Sequence, residues 1–112
     1  MPHKRRIELL QSFLEEDPTD AFTLYALALE HAGLGHFRES HIYFEKLVTN
    51  NPDYLPAYYH LGKLFEQQNN ILEAGNTYMK GIRIADRQQN QHTKKELQEA
   101  YNSLMNIDDS EF

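Results

Sequence analysis

Three of the six histidines, His31, His36 and His41, stand five residues apart. Imidazoles that share a metal on one helix stand four apart, which puts both rings on one face. A spacing of five spreads the rings around a helix instead, and no cysteine is present to complete a ligand set. The pattern therefore predicts no metal site. His31 is expected to replace a core aromatic, and His36 to sit at a turn. The acids are scattered in the same way: Glu15, Glu16, Glu66 and Glu73 read as solvated faces. No glycine-rich phosphate loop follows a strand, and no Gly-x-Ser-x-Gly occurs. With no residues in the roles of nucleophile, base and electrophile, the chain is expected to have no catalytic residues, to bind no cofactor and not to be an enzyme.

Charge narrows the partners. Seventeen acids against eleven bases leave a net charge of -6 in 112 residues, which argues against a basic nucleic-acid face. The Lys4-Arg5-Arg6 cluster is shorter than the 4–8 basic residues, roughly, of an anionic-membrane patch, and reads as a solvated helix start. Residues 1–16 lack the continuous apolar core of a leader, and no run nears the ~18 apolar residues of a membrane span. The expectation is a single soluble domain over residues 1–112 that touches neither membrane nor nucleic acid. The absence of cysteine is compatible with a reducing, cytoplasmic setting.

The elements are helices throughout. The first is expected over 5–16, with Ile7, Leu10, Phe13 and Leu14 on one stripe, stopped by Asp17-Pro18. A second is expected from about Asp20 to Leu34, capped by Thr19 or Asp20, with a core face of Leu24, Leu27, Ala28 and His31. Gly33 and Gly35 end it. The third runs from Phe37 to Asn50, with Phe37, Ser40, Phe44 and Leu47 inward. The fourth, over 55–68, carries Pro56 in its first turn. A fifth begins after Asn70, with Glu73 completing a capping box, and runs to about Gln89. The last is expected to begin at Thr93, with Glu96 three residues on, and to present Leu97, Ala100, Tyr101, Leu104 and Ile107. An acidic tail, frayed at its end, follows from Asp108.

A helical hairpin recurs within this order. Tyr58, Tyr59, Leu61, Gly62, Ala74 and Tyr78 fall 34 residues after Leu24, Tyr25, Leu27, Ala28, Ser40 and Phe44. Large residues align with large and small with small. Gly62 costs about 1 kcal/mol in mid-helix relative to Ala, so a second helix must pass close to it, with Ala74 expected as the facing residue. Leu10, Phe13 and Pro18 fall 34 before Phe44, Leu47 and Pro52, which makes the first helix half of a partial unit. The register breaks after the second hairpin, where Lys95 and Glu96 would replace Leu61 and Gly62. The last helix is therefore expected to cap the stack.

A 34-residue helix–turn–helix period resembles the tetratricopeptide repeat family, and the chain is similar to its small bacterial-type members. The resemblance implies an all-α fold, an α-solenoid of antiparallel helix hairpins in a right-handed superhelical stack with a C-terminal capping helix. The units would be a partial repeat helix at 5–19, repeats at 21–54 and 55–89, and the capping helix at 93–107. Departures from the family pattern are Leu24, His31, Ser40 and Gly81. The resemblance further implies a non-catalytic module that binds a peptide or protein segment in a concave groove, as a scaffold or adaptor. Helix geometry puts Phe22, Tyr25, Leu29, Ala32 and Gly33 on that face in the first repeat. In the second it puts Pro56, Tyr59, Lys63, Glu66 and Gln67 there, with His60 at the edge. One subfamily clamps a C-terminal carboxylate with Lys, Asn and Arg. Here Tyr25 and Leu29 stand where Lys and Asn would be needed, so no such clamp is expected. The apolar face of helix 20–34 leaves three readings open: core covered by the first helix, a homodimer interface, or the ligand groove.

Overall fold

The computed structural model describes residues 2–109, with side chains described for 3–106. Six helices follow one another: α1 (Pro2–Glu16), α2 (Ala21–Gly33), α3 (Phe37–Asn50), α4 (Pro56–Gln67), α5 (Ile71–Arg87) and α6 (Gln91–Asp109). No strand occurs among the described residues, and none of these helices is long and apolar enough to cross a membrane. The chain divides into two compact units, residues 1–57 and 58–112.

In the first unit α2 and α3 form a hairpin and α1 packs on α2. The hairpin core is Leu24, Leu27, Ala28, Phe44 and Leu47, all fully buried. Asp20 is the cap of α2. Its carboxylate accepts from the Thr23 amide at 3.0 Å and from Thr23 Oγ1 at 2.7 Å, and the hydroxyl bond holds the carboxyl below its ordinary range. Ser40 stands where the second repeat has Ala74, and its hydroxyl donates to the Ala28 carbonyl at 2.7 Å. The buried hydroxyl is thereby satisfied. At the far end Asn51 Nδ2 donates to the Thr19 carbonyl at 3.1 Å, tying the end of α3 to the turn before α2.

The first helix begins three residues earlier than the expected Arg5, at Pro2. Proline is suited to a helix start, where its missing amide has no bond to lose. Of the expected stripe, Leu10 is buried, Ile7 and Leu14 are half-buried, and Phe13 is exposed. On its partner side α1 meets Glu30 of α2, which accepts from His3 Nδ1 at 2.8 Å and pairs with Arg6. The basic cluster is thus partly engaged within the unit.

The turns repeat one device. Gly35, Asn69 and Gln89 have positive φ (77°, 59° and 57°), and the next residue's amide bonds back across the turn: His36 to the His31 carbonyl, Asn70 to Phe65 and Asn90 to Ala85, at 2.8, 2.9 and 2.9 Å. These are Schellman ends, in which two orphan carbonyls of the helix are satisfied at once. Asn70 and Asn90 then cap the following helix, accepting from the amides of Glu73 at 3.4 Å and Thr93 at 3.0 Å. The last helix therefore starts at Gln91, not at Thr93. Asn90 closes one helix and opens the next, and the Thr93 amide is already its partner.

In the second unit α5 packs on α6, over a core that includes Tyr58, Leu61, Leu64, Tyr78, Leu97 and Leu104. Leu97, Ala100 and Leu104 are the buried stripe of α6, with Tyr101 half-buried; the expectations for Ile107 and the tail from Asp108 lie outside the described side chains. The predicted close approach at Gly62 is present, but its neighbour differs. A Cβ on Gly62 would lie 2.2 Å from Cε1 of Tyr78, so the Tyr78 ring, rather than Ala74, fills the space. The reason lies further along: the Tyr78 hydroxyl donates to the Glu66 carboxylate, and the ring crosses beneath Gly62 to reach it. The first repeat has Ala28, Ala32 and Phe44 at these three positions, with neither hydroxyl nor acid. Gly81 is similar, since a Cβ there would lie 2.8 Å from Tyr58 Cβ and 3.0 Å from a Leu97 methyl. The corresponding pair in the first repeat is Leu24 and Leu47, two medium side chains in place of one large and one absent.

Gly62→Ala is expected to destabilise the chain by about 1–3 kcal/mol through overpacking. Adding Glu66→Ala and Tyr78→Phe, which installs the first repeat's set, should restore more than half of the loss in urea unfolding. A single variant as stable as wild type would refute the contact.

Candidate functional site

The predicted binding residues fall on α2, in the first unit, and on α4, which lies in the second unit from Tyr58 onward. On α2, Phe22 is 67% exposed, while Tyr25, Leu29 and Ala32 are half-buried. The core face of α2 is occupied by α3, and its Glu30 side by α1, so this strip is what remains. The reading in which α1 covers the strip fails at Phe22. Leu9 and Phe13 of α1 are themselves 54% and 47% exposed. Tyr25 is fixed by an edge-on contact with Tyr54, ring centroids 5.3 Å apart at 67°; such pairs stabilise beyond their buried area. Gly33 is exposed at the end of the helix.

On α4 the predicted residues form a connected set. Tyr59 meets His60 edge-on at 5.5 Å, and Lys63 Nζ lies 5.5 Å from the Tyr59 ring centre. Lys63 also pairs with Glu66 at 3.6 Å, and Glu66 accepts from Tyr78. Burial, and next this bond, push the Tyr78 hydroxyl far above its ordinary value, so it stays a donor. Lys63 is thus engaged by a ring and a carboxylate rather than held free for a ligand's carboxylate. Pro56 and Gln67 are exposed at the two ends of the helix.

Two features were not predicted. A groove of about 380 Å³ lies between α5 and α6, lined by Ile71, Leu72, Gly75, Asn76, Met79, Tyr101 and Met105; Leu72 is 73% exposed. The Ile71-Leu72 doublet at a helix start is its sequence signal. The second feature is the histidine pair. His31 is buried as expected and stacks on Tyr43, centroids 5.6 Å apart at 15°. His36 is indeed in the turn, but the two rings meet, with Nδ1 atoms 3.2 Å apart. A spacing of five disperses side chains along a continuous helix; across a Schellman turn it brings them together. Burial, and next the His36 ring, push His31 below the ordinary imidazole value.

With this geometry, comparison with known proteins fixes the class. The tetratricopeptide repeat model matches residues 23–54 and 55–88. The chain belongs to the tetratricopeptide repeat family. A tetratricopeptide repeat domain protein from Salinibacter ruber, solved in solution, is 42% identical over 79% of this chain and 89% of that one, with a TM-score of 0.74. The TPR2B domain of yeast Sti1, solved in a pHsp70 complex, is 17% identical over 90% of this chain and 81% of that one, TM-score 0.83. PcrH, solved with the chaperone binding region of PopD, is 11% identical over 96% of this chain and 81% of that one, TM-score 0.88. The last two show a shared all-helical hairpin fold. No curated protein matches the chain.

His60 gives the folding stability a pH dependence. Burial pushes its pKa down, with Glu96 opposing. The unfolded chain therefore takes up this proton first, near the ordinary value of 6.5. The contribution to stability is complete above that value and is lost as pH falls toward the lower folded value. Urea unfolding at pH about 7.5 and about 5.5 should show a smaller loss in His60→Gln than in wild type. Equal losses would remove His60 from the account.

Proposed function

We propose that this chain is a non-catalytic protein-binding module that takes a peptide or protein segment on the first helices of its hairpins, as a scaffold or adaptor in the cytoplasm. The observation that carries the reading is the apolar strip of α2, with Phe22 at 67% exposure beside the half-buried Tyr25, Leu29 and Ala32. An exposed apolar strip on a monomeric domain marks an interaction site more often than an isolated apolar residue does. On α4, Tyr59, His60, Lys63 and Gln67 would add aromatic and polar contacts. PcrH with its PopD region and Sti1 with pHsp70 support a segment-binding role for this fold. The ligand would engage α2 through apolar side chains, because Lys63 is paired with Glu66 and one engaged ammonium cannot supply the forked donors that hold a carboxylate.

The same exposure favours a second reading, in which two α2 strips pair in a homodimer. Phe22→Asp separates the two, since an exposed position tolerates the change. Light scattering over a wide concentration range should find wild type monomeric. Peptides selected on wild type from a displayed library should then bind the variant at least about tenfold more weakly, a loss of about 1.4 kcal/mol. A wild-type dimer that Phe22→Asp dissolves would establish the second reading instead. Monomers that bind the selected peptides equally well would overturn both.

A further inference from the structure

We infer that His31, His36 and Glu39 form a binding site for a divalent transition metal of the zinc type, held at the turn between α2 and α3. The backbone builds it. The His36 amide donates to the His31 carbonyl at 2.8 Å, the bond that closes a Schellman turn and brings the side chains of its two ends together. His36 also stands at the cap position of α3, and Glu39 follows three residues later, where a glutamate reaches back toward the start of its helix. One turn thus gathers three donors, one from the end of α2, one from the turn itself and one from the start of α3. Their ligand atoms all lie within 4.8 Å of one another, and the two Nδ1 atoms are 3.2 Å apart. Two nitrogens on one tetrahedral zinc, each at 2.0–2.1 Å, lie about 3.3 Å apart. The rings already stand at the separation a shared ion requires.

The side chains are also arranged for it. His36 makes no side-chain cap bond to α3, whereas Asp20 and Asn70 both cap their helices. His31 is held by its stack on Tyr43, and its Nε2 is buried without a hydrogen-bond partner, so the polar outlet of this ring is the Nδ1 that faces His36. His31 is buried while His36 and Glu39 are exposed. An ion would be anchored from inside and open to water outside. Two imidazoles and one carboxylate suit zinc, cobalt or nickel; magnesium and calcium prefer oxygen ligands. The set is particular to this turn: the equivalent positions are Phe65, Asn70 and Glu73 at the next one and Ala85, Asn90 and Thr93 at the third. Bound metal would clip α2 to α3.

Zinc chloride titrated into the full chain by calorimetry tests the site. One equivalent should bind saturably and raise the melting temperature, and cobalt should give the visible bands of a nitrogen-ligated ion. His36→Ala and Glu39→Gln, both at exposed positions and checked for helix content by circular dichroism, should weaken binding about tenfold or more. His41 and His92 each face one glutamate, Glu45 at 3.7 Å and Glu96 at 3.6 Å, so His41→Ala and His92→Ala should leave the affinity unchanged. Absence of saturable zinc binding in wild type would overturn the site. So would an undiminished affinity in His36→Ala, or a loss confined to His41→Ala or His92→Ala, which would mark adventitious surface chelation.

Discussion

Each hairpin depends on one close approach of two helices at a small residue, and the two hairpins meet that constraint with different chemistry. In the first, Ala28 and Phe44 are both fully buried, and the Ala28 carbonyl is bonded by the Ser40 hydroxyl. In the second, even a methyl group is too much. The Tyr78 ring lies where a Gly62 side chain would be, because its hydroxyl is bonded to Glu66. A buried phenol needs a partner, the partner is one turn along α4, and the straight path to it runs under residue 62. Gly62, Glu66 and Tyr78 therefore form a set that works only together. The local cost of glycine in a helix is offset by the packed and satisfied ring. Glu66 in turn pairs with Lys63 at 3.6 Å, so a packing constraint reaches the predicted binding face.

The turns act in the same way, as a constraint whose consequences depend on the residues placed in it. Three Schellman ends bring the third residue before the helix cap against the second residue beyond it. At two of them the second residue beyond is an asparagine, Asn70 or Asn90, which closes one helix and caps the next. At the first it is His36, which leaves the capping role and turns to His31. The same backbone thus produces ordinary helix punctuation twice and a pair of facing imidazoles once.

Much of this was legible in the sequence. The 34-residue displacement of large and small residues identified the hairpins, and the core of α2 at Leu24, Leu27, Ala28 and His31 is buried as the spacing required. Helix starts were legible to within a residue at Asp20, where Thr19 next to it was the rival cap, and at Asn70. The start of α6 was not, because Asn90 and Thr93 both carry capping chemistry and the choice depends on the turn bond from Asn90 to Ala85. The neighbour of Gly62 was missed for a similar reason. Helix spacing shows that something must come close, but the path of a long aromatic side chain follows from its distant hydrogen bond. The facing histidines were missed because helical arithmetic was carried through a turn, where it does not hold. The groove between α5 and α6 rests on Ile71, Leu72 and Met79, and the Ile71-Leu72 doublet that signals it does not by itself distinguish exposed residues from packed ones.

The two repeats therefore diverge in the side chains of their first helices while sharing one fold. The α2 strip is apolar throughout: Phe22, Tyr25, Leu29 and Ala32 offer contact area but no charge. The α4 face replaces Leu29 with Lys63 and Ala32 with Glu66, a pair that neutralises itself. Neither face offers a net positive charge to an acidic tail, and the chain as a whole repels one at a net charge of -6. Under the proposed function, recognition by these helices would draw on burial of apolar surface, with aromatic edges at Tyr25 and Tyr59 setting orientation. Because apolar burial is non-directional, the selectivity of such a site would depend on fixed ring positions. The contacts of Tyr25 with Tyr54 and of Tyr59 with His60 and Lys63 are among those that hold the rings.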